Sequence, residues 1–159
     1  RIACADNGVK GEFRVRDLTV LATRNGESTK TKVREHGNEF WIDPSLVYYS
    51  PRLATERLEN LETAKQLSTI LGRRIDVCDP YAGVGPAVIP LAKMTNHIDK
   101  IYASDLNSHA ADFLAINLPE HTTSCADART LSSTLSQCCD LLPLMFLPCE
   151  LLDGLVGLI

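Results

Sequence analysis

The sequence predicts an α/β fold, a Rossmann-like parallel sheet that is incomplete at about four strands, preceded by a small antiparallel β module. One observation is the stretch Val77-Cys78-Asp79-Pro80-Tyr81-Ala82-Gly83-Val84-Gly85-Pro86. An apolar strand from Ile75 to Cys78 ends on a carboxylate, turns through two glycines and feeds a helix starting at Pro86. Such a unit brings backbone N–H groups to the carboxyl end of a parallel sheet, where nucleotide-like ligands settle. The other is that the unit recurs. Lys100 to Asp105 and Ser124 to Arg129 each read as a short strand closing on an acid, Asp105 and Asp127.

Taken in order, Phe13 to Ala22 reads as a strand broken at Arg16-Asp17, with no strand before it. Thr29 to Val33 and Glu39 to Ile42 flank His36-Gly37-Asn38 as a hairpin, so the first forty or so residues form a small antiparallel sheet. Ser50-Pro51 marks a helix start, a hydroxyl cap with proline in the first helical position. Leu53, Leu58, Leu61, Ala64, Leu67 and Leu71 keep helical spacing until Gly72 stops the helix. Parallel strands follow at 75–78, 101–104, 123–126 and 140–146, then a short apolar helix or tail from Cys149 to Ile159. This divides the chain into a β-rich module (1–46), a connector helix (47–72) and a partial Rossmann-like domain (73–159).

The glycine spacing narrows the ligand. A dinucleotide fingerprint requires G-x-G-x-x-G, and Ile89 stands near the place of the third glycine. The pattern D-x-x-x-G-x-G suits S-adenosylmethionine better. Gly83 lets the backbone approach the amino-acid tail, Asp79 holds its ammonium and Gly85 opens the helix. Asp105, at the end of the second strand, can accept from both hydroxyls of a ribose, and Asp127 from the adenine amino group. Each acid taken singly also suits a helix N-cap; three in register favour the cofactor.

Composition sets the bounds. The 159 residues are 45% hydrophobic and 23% charged, which suits one globular domain or a small one joined to part of another. No run of eighteen apolar residues and no basic-then-apolar leader is present, so a cytoplasmic protein is expected. The six cysteines include no C-x-x-C pair, which argues against a metal site of the zinc type. The net charge of −4 is uneven: residues 1–36 balance at +3 and residues 37–159 at −7. Lys10, Arg14, Arg16, Arg24, Lys30, Lys32 and Arg34 are compatible with an RNA-facing module, and equally with a solvated sheet face.

Val47-Tyr48-Tyr49-Ser50-Pro51-Arg52-Leu53-Ala54-Thr55-Glu56-Arg57, followed by Asp79 to Pro86 and Ile89-Pro90-Leu91-Ala92-Lys93, resembles the tRNA (guanine-37-N1) methyltransferase family and its relatives in wybutosine synthesis. The resemblance spans roughly residues 30 to 130 and implies a class I methyltransferase domain that uses S-adenosylmethionine on tRNA. It places Asp79, Gly83 and Gly85 at the methionine part, with Tyr81 of the same turn also at the cofactor, Asp105 at the ribose and Asp127 at the adenine. Arg52 is implied near the target base; read as a residue alone, it also suits an ion pair with Glu56 on the helix surface. The chain departs from the family pattern at Phe146, before Leu147-Pro148, where the family carries asparagine; a phenyl ring cannot supply the amide's hydrogen bonds. With about four of seven strands, the chain is expected to be a fragment or a shortened relative, with self-association through an incomplete sheet edge. Aminocarboxypropyl transfer and non-catalytic binding of cofactor or RNA are the alternative readings.

Overall fold

The computed structural model of the protein describes residues 2–23, 26, 28–130 and 139–141. Arg24, Phe146, Leu147-Pro148 and the tail from Cys149 lie outside the described residues.

The chain opens on a strand that the sequence reading did not foresee. β1 (Ile2–Lys10) pairs antiparallel with β2 (Val15–Thr23). Asp6-Asn7-Gly8 interrupt the alternation that marks a strand, and the ladder absorbs them with a register shift between Asp6 and Val9. Phe13, expected to begin a strand, lies in the turn between them, and β2 continues through Arg16-Asp17 without a break. Both residues are held across the hairpin, Lys10 Nζ meeting Asp17 at 2.7 Å and Arg16 meeting Asp6 at 3.3 Å.

β3 (Thr31–Glu35) and β4 (Asn38–Ile42) form the expected hairpin. His36 and Gly37 both take positive φ, +47° and +80°, the two-residue turn whose twist matches that of the strands. The two hairpins are separate two-stranded sheets, not one. A bond from Arg16 N–H to the Pro44 carbonyl, 3.0 Å, ties the first to the segment after the second. Phe40 and Ile42, on the inner face of β4, are buried in the main core.

α1 (Ala54–Leu71) begins through one 3-10 turn, Pro51–Leu53. Pro51 leads as expected, but the Ser50 hydroxyl makes no capping bond. Gly72, at φ +65°, ends the helix and donates its N–H to the Ser68 and Thr69 carbonyls. The middle of the expected stripe faces the core, with Ala64 buried and Leu61 and Leu67 packed against it, while Leu58 and Leu71 are exposed and the buried face also takes in Arg57 and Ser68. On that face Arg57 meets Glu35 of β3.

β5 (Ile75–Asp79), β6 (Ile98–Asp105) and β7 (Thr122–Cys125) form a parallel sheet in that order. α2 (Val88–Ala92) starts two residues later than expected, and Pro90 falls in its first turn, where a missing N–H leaves no intrahelical bond unmade. α3 (Ser108–Asn117) is capped by the Asn107 side chain, which accepts from His109 N–H at 3.0 Å. On the other edge of β5, Leu141 bridges Val77 in parallel, and Cys78 N–H donates to the Leu141 carbonyl at 2.9 Å. The sheet grows from β5 to β7 and then returns to β5, so strand order reverses at the carboxyl end of β5. The expected fold class is borne out. No helix among the described residues is long and apolar enough to cross a membrane.

Candidate active site

Two strands deliver their terminal acids to one place. Asp79 closes β5 and is 4% exposed, and its Oδ1 accepts from Tyr81 N–H at 3.0 Å. No described cation pairs with it, and burial, reinforced by the nearby charge of Asp105, pushes its carboxyl up to about 7. Asp105 closes β6 and divides its oxygens between Gly83 N–H at 2.8 Å and Asn107 N–H at 2.9 Å. Burial raises its carboxyl above the usual range, partly offset by these N–H donors.

The two glycines act differently. Gly83, at φ +56°, has nothing near the place of a Cβ except the Tyr48 carbonyl at 4.0 Å, so its need is conformational. A Cβ on Gly85 would lie 3.0 Å from Leu114 Cδ1 and 3.3 Å from Ile89 Cδ1. Gly85 therefore lets α3 and α2 pack against the turn, behind the site.

A cavity of about 520 Å³ opens over the two carboxylates. Its floor is Asp79, Ala82, Gly83, Asp105 and Asn107, with Tyr81 beside it. One wall comes from the chain entering α1: Tyr48, Tyr49, Ser50, Leu53 and Arg57. The β1–β2 turn also contributes to the lining, through Glu12, Phe13 and Arg14.

Arg57 is buried and bound in fork geometry to Glu35, Nε to Oε1 at 2.6 Å and Nη2 to Oε2 at 2.5 Å. Nη2 also donates to the Ser50 carbonyl at 3.0 Å, and the Tyr49 hydroxyl donates to Glu35 Oε2 at 2.7 Å. Burial pushes the Glu35 carboxyl up, but the bonds from Arg57 and Tyr49 outweigh it and hold it below its usual range. Burial and Glu35 push the Tyr49 hydroxyl up to about 12. Sequence reasoning did not pick out Glu35, whose partner Arg57 sits 22 residues away.

Of the predicted residues, the structure brings Asp79, Tyr81, Gly83 and Asp105 together. Arg52 is exposed in the 3-10 turn, outside the cavity lining, and makes no ion pair with Glu56. Glu56 itself keeps Oε2 buried without a hydrogen-bond partner. Asp127 also lies outside the lining, its carboxylate engaged by the Arg129 guanidinium and held down to about 2 by that bond. Burial raises the Tyr81 hydroxyl, and the charge of Asp127 raises it further.

A family model described as the TRM5/TYW2 methyltransferase domain matches residues 31–124, more than half of the chain. The tRNA (guanine(37)-N(1))-methyltransferase Trm5b of Methanocaldococcus jannaschii is 39% identical over 110 residues, 69% of this chain and 29% of that protein. The crystal structure of Trm5b from Pyrococcus abyssi superposes with a TM-score of 0.65 at 29% identity, over 99% of this chain and 45% of that one. The structure of aTrm5 in complex with tRNALeu gives 0.63 at 36% identity, over 79% and 36%. The chain spans less than a third of the length of the curated relatives it matches.

Proposed function

The chain belongs to the TRM5/TYW2 methyltransferase family, and from that premise we propose that it acts as an S-adenosylmethionine-dependent tRNA methyltransferase on N1 of guanosine 37. The observation that carries this reading is the pair of strand-end carboxylates, Asp79 and Asp105, on the floor of one cavity beside a glycine turn. The donor set fits the cofactor. Asp79 is a buried acid without a cation, suited to an ammonium, and Asp105 keeps lone pairs for a vicinal diol. S-adenosylmethionine supplies, when bound, an electrophilic methyl group. Gly83 fixes the turn that holds the amino-acid part, with Gly85 packing behind it and Tyr81 flanking it. Asp127 retains acceptor capacity beside Arg129 for the adenine amino group.

On the substrate side, guanosine N1 must lose its proton, and negative charge grows on O6. Arg52 is assigned to that charge, because a guanidinium stays protonated and presents a fork of donors. Glu56, with its buried and unpartnered oxygen, is assigned to receive the proton. Lys30, Lys32 and Arg34 stand exposed at the second hairpin, with the Lys30 and Lys32 ammonium groups 5.2 and 5.0 Å from the Trp41 ring centroid. They supply cationic surface for the tRNA phosphates.

Two predictions follow from the cofactor floor. Asp105→Ala should weaken S-adenosylmethionine binding about 10- to 100-fold, the worth of one hydrogen bond to a charged group; wild-type affinity by calorimetry would remove Asp105 from the ribose. The second concerns pH. In the free protein Asp79 takes up a proton as pH falls through about 7, whereas an ammonium beside it favours the carboxylate. Binding then releases a proton below that pH, so affinity should rise with pH, by up to about tenfold per unit, and level off above neutrality. Titrations in buffers of different ionisation enthalpy measure the proton directly. A flat profile with no proton release would remove Asp79 from the ammonium.

The overall test is calorimetric titration with S-adenosylmethionine followed by transfer to unmodified tRNA. Methylated guanosine supports the proposal; an aminocarboxypropyl product would select the alternative transfer from the same cofactor. Binding without transfer would select a non-catalytic role.

A further inference from the structure

We propose that Phe13, in the turn of the β1–β2 hairpin, is a stacking wall for the RNA base presented to this cavity; this rests on the reading of the site as one that modifies RNA. Three described aromatic residues are exposed, Phe13 at 41%, Tyr48 at 51% and Tyr81 at 37%, and all three line the same cavity. Scattered exposed rings need no explanation, but convergence on one concave site serves no packing purpose. Unpaired bases are held by such rings, because every base has a π-face.

The charge around Phe13 separates the RNA base from the adenine of the cofactor. Arg14 lines the cavity beside Phe13 and forms no ion pair among the described residues, while the neighbouring Lys10, Arg16 and Arg57 are neutralised by Asp17, Asp6 and Glu35. An unpaired guanidinium opposes a cationic cofactor and suits a base joined to phosphate. Glu12 of the same turn adds a carboxylate acceptor for N–H groups on a base edge. The strands on either side of the turn are held by the two cross-hairpin ion pairs and by the bond from Arg16 N–H to the Pro44 carbonyl, so the turn that carries the ring is anchored at its base. It also lies ahead of the residues that match the family model, 31–124.

The test compares wild type, Phe13→Ala and Phe13→Trp for S-adenosylmethionine affinity and for affinity to two tRNA transcripts. One carries guanosine at position 37 and the other an abasic residue there. Phe13→Ala should bind S-adenosylmethionine as wild type does and bind the guanosine transcript about tenfold or more weakly. It should match wild type on the abasic transcript, and Phe13→Trp should restore the loss. Equal weakening on both transcripts, or none on either, overturns the proposal. Loss of S-adenosylmethionine affinity alone assigns the ring to the cofactor's adenine and overturns it as well. A wild-type chain that binds S-adenosylmethionine but no RNA overturns the stacking role and leaves the cofactor site standing; one that binds neither removes the parent reading too.

Discussion

Glu35→Ala is expected to destabilise the protein by about 3–5 kcal/mol, the cost of leaving one member of a buried ion pair without its partner. The Arg57 side chain is 4% exposed and that of Glu35 9%, so water cannot take over the lost bonds. The substitution also removes the acceptor of the Tyr49 hydroxyl. Replacing both partners with apolar residues, Glu35→Leu with Arg57→Met, should recover most of the loss, because no buried charge then remains uncompensated. That double variant should still bind S-adenosylmethionine less well, since Arg57 no longer holds the Ser50 carbonyl at the cavity wall. Urea denaturation of the single and double variants measures both terms. A loss below about 1 kcal/mol in Glu35→Ala would mean that the pair behaves as a surface one. The pH dependence has a definite sign. The folded-state pKa of Glu35 is depressed below 4.5, so its stabilisation is present above that pH and is lost as pH falls through the folded value.

The parallel sheet was legible because each strand carries its own signal. Ile75 to Asp79 and Ile101 to Asp105 are short apolar runs closing on acids, and strand order then follows from short right-handed connections. The same local code placed Asp79 and Asp105 at strand ends and Gly83 in the turn, and all three line the cavity. What was not legible depends on partners distant in sequence. β1 was missed because Asp6-Asn7-Gly8 spoil its alternation, and its evidence is the pairing with β2. The buried Arg57 of α1 was not foreseen because leucine spacing carries no sign of Glu35, its partner 22 residues away. Gly85 opens the helix as read, its carbonyl accepting from Ile89 N–H at 2.9 Å, but the approach of Leu114 from α3, 29 residues on, was not legible. Phe13 was taken as a strand residue because apolar alternation does not distinguish a ring in a turn from one in a ladder.

Arg52→Ala is expected to leave S-adenosylmethionine affinity within about twofold of wild type and to lower transfer by about 10²- to 10³-fold, the loss that accompanies removal of one preorganised donor from a developing oxyanion. The separation follows from position. Arg52 lies outside the lining of the cavity that holds Asp79 and Asp105, yet it stands between Ser50 and Leu53, which do line it. An exposed guanidinium there contributes little to the fold, and Glu56, one helical turn on, does not engage it. No acid among the described residues pairs with its charge. Guanosine makes that charge useful at one moment, when N1 has given up its proton and O6 carries the excess negative charge. Glu56→Gln should reproduce the rate defect with the same intact cofactor affinity, because the amide keeps the volume but cannot accept the proton. Arg52→Lys should fall between Arg52→Ala and wild type, keeping the charge while losing the fork. Single-turnover rates on tRNA at saturating S-adenosylmethionine read the effect without interference from binding. A rate for Arg52→Ala equal to wild type would return Arg52 to the helix surface and leave the stabilisation of O6 to another donor.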